Sequence, residues 1–423
     1  MNKPDVISKF LNYVKFDTQS DDTTGTSPST MKQHELAKFL VKELNEIGAS
    51  DVFYDEEHCY VYASIPSNID DGVKRPAIGF ISHMDTSDEV SGKDVNPRQV
   101  ENYDGGDIVL NKELGVVLSP ADFPELLNHV GETLIVTDGT TLLGGDDKAS
   151  IAAIMTMAEY LCRHDEIEHG DISLAFPPDE EVGGLARDLD LDRFGAKLAY
   201  TLDGDHLGWY EDETFNASEA VFEFIGRSVH TGTAKGIMVN AVDMAAHLMG
   251  MLPPGEKPQF TEGTEGFYHV ISCVGDCENA KVRLLVRDFD HDNFCKREDF
   301  LRVCADDLKE KYGQDRVALT ITHQYSNMQE VLKESPFLVG ILRDAIKKAG
   351  IEPVCEPFRG GTDGAALSFR GLPCPNLSAG YENAHGRFEY VPIQSMVKNV
   401  EILLNICESM MILRDGVTLP TTV

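Results

Sequence analysis

Acidic and imidazole side chains recur in this chain where apolar runs end, which is where metal-ligating or proton-transferring groups would be presented. His83 and Asp85 follow the run AIGFIS. Spaced by two in extended chain, they point to the same side. An imidazole that binds a metal through one nitrogen needs a partner on its other N–H to set tautomer and orientation. In that reading His83 is a ligand and Asp85 its orienter. FPPDEEVGG, residues 176–184, sets Glu180 beside Glu181 just past DISLAF, and Asp203 follows LAYTL. Neighbours in extended chain face opposite sides. One glutamate can therefore hold a metal while the other reaches over bound water. Asp146 and Asp147 stand in LLGGDDKAS immediately before a helical pattern. A helix cap near the positive end of the dipole is the simpler use of such acids, although the two preceding glycines suggest unusual backbone. His385 lies in YENAHGRFE, a glycine-bearing loop.

These residues need a scaffold that brings distant strand ends together. Leu36, Phe39, Leu40, Leu44 and Ile47 recur at helical spacing and stop before Gly48, a cap residue. PAIGFIS reads as a buried strand, and the helix after GGDDKAS carries Ile151, Ile154, Met155, Ala158 and Leu161 on one face. DISLAF and LAYTL follow as strands. This alternation predicts an α/β fold, a mainly parallel sheet covered by helices. Sites in such sheets gather beyond the carboxyl ends of strands. From about residue 216 the order changes to strand, helix, strand, strand, helix, strand, which fits an inserted βαββαβ sandwich. There Val282, Leu284 and Val286 alternate with Arg283 and Arg287. After Asn327 the chain returns to the first sheet. SPFLVGILRDAIKKAG opens a helix with Ser335 as N-cap and Pro336 at its first position, and a last helix spans about 393–413. The expected domains are 1–215 with 327–423, and 216–326.

Composition narrows the partners. The 423 residues carry a formal charge of −34, which repels nucleic acid and anionic membranes. No apolar run approaches the roughly 18 residues of a membrane span, and charges interrupt MNKPDVISKFLNYVKFD as they would not in a secretory signal. Nine cysteines, scattered singly apart from Cys273 and Cys277, do not form a disulfide framework, so a reducing cytoplasm is expected. HExxH, GxSxG and GxxxxGK[ST] are absent from the sequence, leaving the common zincin, hydrolase-elbow and P-loop readings without support.

Several longer stretches, in order, carry a more specific message: FISHMDTSDEVSGKDVNPRQVENYDGGDIVL, TLLGGDDKAS, PPDEEVGG, YTLDGD, GTAKGIMVNA, TEGTEGFYH, VRDFD, RGGTDGAALSFRGLPCPNL and NAHGRFEYV. Together they resemble the tripeptide aminopeptidases of the di-zinc, glutamate-carboxypeptidase-like metallopeptidase family. The resemblance implies two Zn²⁺ per subunit, one held by His83, Asp146 and Asp203 and the other by Asp146, Glu181 and His385, with Asp146 as the bridge. It implies Asp85 as orienter of His83, Glu180 as general base and a cis peptide at Asp146–Asp147. Ligand carboxylates packed together without cations would repel and raise one another's pKa, which supports the metals. Asp, Glu and His suit zinc, as they do manganese or cobalt.

The resemblance further implies a catalytic domain from 1–215 and 327–423. It makes 216–326 a lid and dimerisation domain through which a homodimer forms. His230, in GRSVHTGTAKG, matches a histidine that reaches the partner's active site and polarises the scissile carbonyl. Arg287 and Arg359 are candidates to fork a substrate carboxylate, and Asn240, at a helix start, is a candidate substrate contact. The implied activity is release of the N-terminal residue from tripeptides in the cytoplasm. A same-fold dipeptidase, carboxypeptidase or N-acyl amino acid deacylase is the nearest alternative, and a noncatalytic peptide-binding protein is the alternative of another class. The chain departs from the family pattern at Thr231, where proline is usual, and at Gly145 and Ser150, where alanine and glycine are common.

Overall fold

The computed structural model describes residues 4–413. Contacts divide the chain into two compact units. One comprises Met1–Asp212, Glu330–Glu356 and Thr362–Val423; the other comprises Glu213–Gln329 and Pro357–Gly361. The second is wider at both ends than the segment 216–326 read from the sequence, and it takes in five residues from beyond the return of the chain.

In the first unit, three strands whose residues are buried throughout or nearly so form the centre of an eight-stranded sheet. Ile78–Ile81 pairs in parallel with Ile172–Phe176 on one side and with Leu198–Leu202 on the other. Asn376–Leu377 continues the parallel run beside Leu198–Leu202. Continuous apolar strands of this kind are what a sheet covered on both faces requires. Antiparallel pairings close the flanks: Tyr60–Ile65 joins Ile172–Phe176 and Ser50–Asp55 forms one edge, while Trp209–Glu211 joins Asn376–Leu377 and pairs in parallel with the edge strand Val354–Cys355. The sheet is thus mainly parallel at its core and mixed at its margins.

The helix Gly145–Arg163 packs against the helices Pro4–Tyr13 and Ile393–Met410. It buries Ala152, Ala153 and Met157 as well as the expected stripe. The one-sided pattern read from the sequence was too narrow because small alanines let neighbours approach from further directions. Gln33–Ile47 ends at Gly48 with φ 90°, as its spacing predicted. Pro336–Lys348 begins after Ser335, but that side chain makes no capping hydrogen bond, and its buried hydroxyl has no partner.

The second unit is an antiparallel sheet in the order Phe267–Gly275, Asn279–Asp288, Asn216–Ile225, Val317–Tyr325, giving the βαββαβ order expected. Helices Ala241–Met251 and His291–Tyr312 pack their Met244, Leu248, Leu301 and Leu308 against Phe222, Phe224, Val282 and Leu284. Alternate strand residues face away, where Arg283 pairs with Glu219 at 2.6 Å and Lys281 with Glu223 at 3.4 Å. Such cross-strand pairs mark the polar side of a one-faced sheet.

Gly79, in the central strand of the first unit, leaves space that Phe194 fills. A Cβ there would lie 2.3 Å from Phe194 Cζ and 3.1 Å from Ala199 Cβ. Overpacking of this kind costs about 1–3 kcal/mol. Gly79→Val is therefore expected to lower the urea midpoint, and Phe194→Ala in the same chain to recover part of the loss; an unchanged midpoint for the single variant would contradict the packing.

Candidate metal centre

Three parallel strands deliver polar residues from one end of the first unit's sheet. His83 lies two residues past Ile81, Glu180 four past Phe176 and Asp203 one past Leu202, the location open α/β sheets use for ligands. Asp146 enters from the start of the helix Gly145–Arg163. The capping reading does not describe it: the N-cap is Gly144 without a side-chain bond, and Asp146 has non-helical backbone with ψ 105°. The Asp146–Asp147 peptide is cis.

Asp146 faces two histidines with two different oxygens. Its Oδ1 is 3.0 Å from His83 Nε2 and its Oδ2 is 3.3 Å from His385 Nε2. His83 Nε2 also lies 4.0 Å from Asp203 Oδ2, and His385 Nε2 lies 2.9 Å from Glu181 Oε2. The donor atoms of His83, Glu180 and Asp203 cluster within 4.8 Å of one another, as do those of His83, Asp146 and Glu181. Asp85, fully buried, sets an oxygen 3.3 Å from His83 Nδ1 and accepts from the amides of Glu180 at 2.9 Å and Glu181 at 3.2 Å.

The glutamate pair separates for a reason other than the one expected. Glu180–Val182 is a single 3-10 turn following Asp179 at φ 61°, not extended chain. The turn sends Glu181 toward His385 and leaves Glu180 beside His83 and Asp203. Asp179 is anchored by Ser29 N at 2.7 Å and Gln33 Nε2 at 2.7 Å.

Some participants had no distinguishing sequence signal. Tyr381 donates its hydroxyl to Asp203 Oδ1 at 2.6 Å and accepts from Gly204 N. Glu389, buried, accepts from Leu143 N, Gly144 N and Asp146 N at 2.7, 2.8 and 3.0 Å. A Cβ on Gly145 would come within 2.9 Å of that carboxylate and 2.7 Å of Val391, which gives the departure at Gly145 a steric reason. Asp363 shares a cavity of about 10 Å³ with His83, Glu180, Asp203 and Thr362. All three lie inside the motifs given above, but an acid or tyrosine in a loop or at a helix start has no spacing that reveals a partner far along the chain.

The remaining candidates belong to the second unit. His230 is exposed, its Nδ1 accepting from Gly232 N at 3.2 Å. Asn240 caps the helix Ala241–Met251, accepting from Val242 N at 2.9 Å. Arg287 is buried rather than displayed. Its terminal nitrogens donate to Ser218 O, Val286 O and Gln324 Oε1. Arg359 donates to Gly263 O, Glu265 O and Thr261 Oγ1 and lies over the rings of Phe215 and Phe267. Both guanidinium groups thus serve internal acceptors, which they would have to release to bind a carboxylate.

The electrostatics show a deficit of positive charge. Burial, reinforced by the charge of Asp146, pushes Glu181 up to about 8 and Asp203 up to about 6. Burial also lifts Glu180 well above the usual carboxylate range, with Asp203 and Asp363 adding to it. Hydrogen bonds that His385 donates to Asp146 and Glu181 push it up to about 11. In His83, burial opposes protonation but the hydrogen bonds of Asp146 and Asp85 outweigh it. Glu181 Oε1 and Asp147 Oδ1 are buried without a partner. Buried, unpaired carboxylate oxygens among imidazole nitrogens fit divalent cations, and zinc takes this donor set.

Residues 139–409 match the family described as Peptidase family M20/M25/M40. The chain is 50% identical over 404 residues to Peptidase T of Geobacillus kaustophilus, covering 96% of this chain and 98% of that protein. The chain belongs to peptidase family M20/M25/M40. It is 48% identical over 406 residues to Peptidase T of Bacillus subtilis, again with 96% and 98% covered. Its fold is similar to that of aminopeptidase PepT from Bacillus cereus, with a TM-score of 0.76 at 22% identity over 97% of this chain and 99% of that one. It is also similar to that of the Bacillus subtilis YXEP protein, a dinuclear metal binding peptidase from the M20 family, with a TM-score of 0.64 at 13% identity, covering 96% and 97%. A member of this family is a hydrolase. Among the described residues no helix is long and apolar enough to cross a membrane.

The raised groups fix the sign of a pH effect. Asp203, Glu181 and His385 all have folded pKa values above their ordinary ones, so between its ordinary and its folded value each binds more protons in the native state than in the unfolded state. Stability from these groups is present at low pH and is lost as pH rises through about 6, 8 and 11 in turn. The chelator-treated chain is expected to melt progressively lower from pH 5 to pH 8, and addition of zinc to flatten that slope. A melting temperature that rises over this range under chelation would overturn the assignment of excess buried negative charge.

Proposed function

We propose that this family member is a di-zinc aminopeptidase that releases the N-terminal residue from tripeptides. One observation carries the metal reading: Asp146 directs Oδ1 to a group containing His83 and Asp203 and Oδ2 to a group containing Glu181 and His385. A carboxylate used from both oxygens by two histidine–carboxylate groups suits a bridge between two ions. Tripeptide specificity rests on the Peptidase T relatives, matched over nearly the whole length of both chains.

In this reading His83, Asp146 and Asp203 hold one ion and Asp146, Glu181 and His385 the other. When bound, the ions activate water and polarise the peptide carbonyl. Asp85 fixes the His83 ring through Nδ1, so that Nε2 is the nitrogen offered to the ion. Glu180 takes the proton from the attacking water and returns it to the departing amine. Its proximity to His83 and Asp203 and its freedom from the His385 group support that role. The turn amides of Glu180 and Glu181 both donate to Asp85, so the residue that orients a ligand also fixes the base.

The second unit is proposed as the dimerisation element, in a cytoplasmic homodimer. Its edge strand Phe267–Gly275 carries exposed Ile271 and Val274, and an unpaired apolar edge invites pairing with another chain. His230 would act across that dimer on the scissile carbonyl of the partner. Asn240, Arg287 and Arg359 remain candidates for holding the substrate, the arginines by exchanging internal acceptors.

Tripeptides with free and with acetylated amino termini separate the activities. Hydrolysis of the free forms alone is expected, and indifference to acetylation would favour the deacylase or carboxypeptidase alternatives. No turnover of any peptide by the zinc-loaded protein would favour a binding role. Replacing the base should act on rate rather than metal. Glu180→Ala is expected to lower kcat by at least ~10²–10⁴-fold with zinc content unchanged by elemental analysis, and near-normal kcat would remove Glu180 from the mechanism.

A further inference from the structure

Both histidines of the centre have a carboxylate on the ring nitrogen that faces away from Asp146. For His83 that group is Asp85, buried beneath the sheet end. For His385 it is Glu89, whose Oε2 lies 2.9 Å from His385 Nδ1. The two pairs differ in surroundings: the Glu89 side chain is 59% exposed and that of His385 42%, whereas His83 and Asp85 are 2% and 0%.

Glu89 is held in place despite its exposure. Its carboxylate accepts from Ser87 Oγ, and its amide donates to the same oxygen at 3.3 Å. Gln19 Nε2 donates to Ser87 O and Val90 O at 3.2 Å each, and Ser20 N donates to Thr86 O at 3.0 Å. The segment between the strand Ile78–Ile81 and Val90 is thereby tied at both sides of Glu89. His385 itself sits at φ 62° in a loop, with no strand or helix to aim its ring. Its direction comes from its ring partners: Asp146 and Glu181 on Nε2, Glu89 on Nδ1.

We propose, on the two-ion reading above, that Glu89 is a positioning residue for His385. It holds Nδ1 as the protonated nitrogen and leaves Nε2 for the ion shared with Asp146 and Glu181. A carboxylate behind a ligating imidazole sets its tautomer and raises its basicity, and loss of such a partner weakens metal binding about 10–100-fold. Because this carboxylate is in contact with water, salt screens its hold on the ring.

Stepwise zinc affinities, measured by chelator competition on the full chain, test this. Glu89→Ala is expected to weaken one of the two steps about 10–100-fold and leave the other unchanged, with Glu89→Gln intermediate. Excess zinc should restore kcat with KM unaltered. Because Glu89 is exposed, the chelator-treated variants are expected to melt with the parent, and the gap in zinc affinity between parent and Glu89→Ala should narrow from low salt to ~1 M. Unaltered affinities in Glu89→Ala, or equal weakening of both steps, would overturn the role. So would a gap that salt does not change. A parent chain that binds fewer than two ions would instead remove the two-ion reading, and this proposal with it.

Discussion

Mutual repulsion among buried carboxylates is the constraint on which the first unit depends. Asp146, Asp147, Glu180, Glu181, Asp203 and Asp363 all meet near the ends of three strands. Two unit charges 4 Å apart interact by about 4 kcal/mol at an effective dielectric of ~20, so a group of this size cannot stay fully ionised on its own. The protein's own relief is limited to His83, His385, a few hydroxyls and backbone amides. The upward displacement of Glu180, Glu181 and Asp203 beside a depressed Asp146 is the signature of an arrangement built for more positive charge than the side chains provide.

Keeping such groups close requires that their backbones be unable to drift apart. The parallel strands supply three of the approach paths, and the loop from Tyr381 to Tyr390 fastens them. Glu382 and Tyr390 close that loop with reciprocal backbone hydrogen bonds at 2.9 and 3.0 Å. From it Tyr381 reaches Asp203, His385 reaches Asp146 and Glu181, and Glu389 gathers the amides of Leu143, Gly144 and Asp146. Glu382 adds His206 at 2.9 Å and His129 at 3.6 Å. The pairing of Tyr390–Pro392 with Leu134–Val136 then anchors the loop's end to a separate small sheet. Acids and histidines from His83 to His385 are thus tied to one another in part by ten consecutive residues.

This division sets which residues the sequence makes legible. His83, Glu180 and Asp203 were legible because each follows an apolar run, and a run that stops at a polar residue shows both strand and strand end. The βαββαβ order was legible from period-two alternation and helical spacing. Glu389 and Tyr381 were not, since their roles consist of hydrogen bonds to residues about 180 to 250 positions away. The turn at Glu180–Val182 is not visible in the sequence because it depends on Asp179 taking a left-handed backbone, which a non-glycine residue rarely advertises. The alternation around Arg287 reports which side a strand residue faces, not whether that side is covered. Burial of Arg287 against Ser218 O and Gln324 is a property of the neighbouring strands.

The two units manage charge in opposite ways. On the outward face of the second unit's sheet, opposite charges are placed across neighbouring strands, Arg283 with Glu219 and Lys281 with Glu223, where each pair is largely self-cancelling and water screens what remains. In the first unit, like charges are brought together with little water around them, the Glu181 side chain being 6% exposed and that of Asp203 22%. Paired surface charges contribute little to stability, so the second unit can vary them at small expense. The clustered acids have no such freedom: removing one changes the field at every other, because little solvent screens them. Asp146 touches both histidines and so links the two sides of the cluster. Its neighbours on the chain are constrained too, with Glu389 holding the amides of Leu143, Gly144 and Asp146 and little room at Gly145 for a side chain.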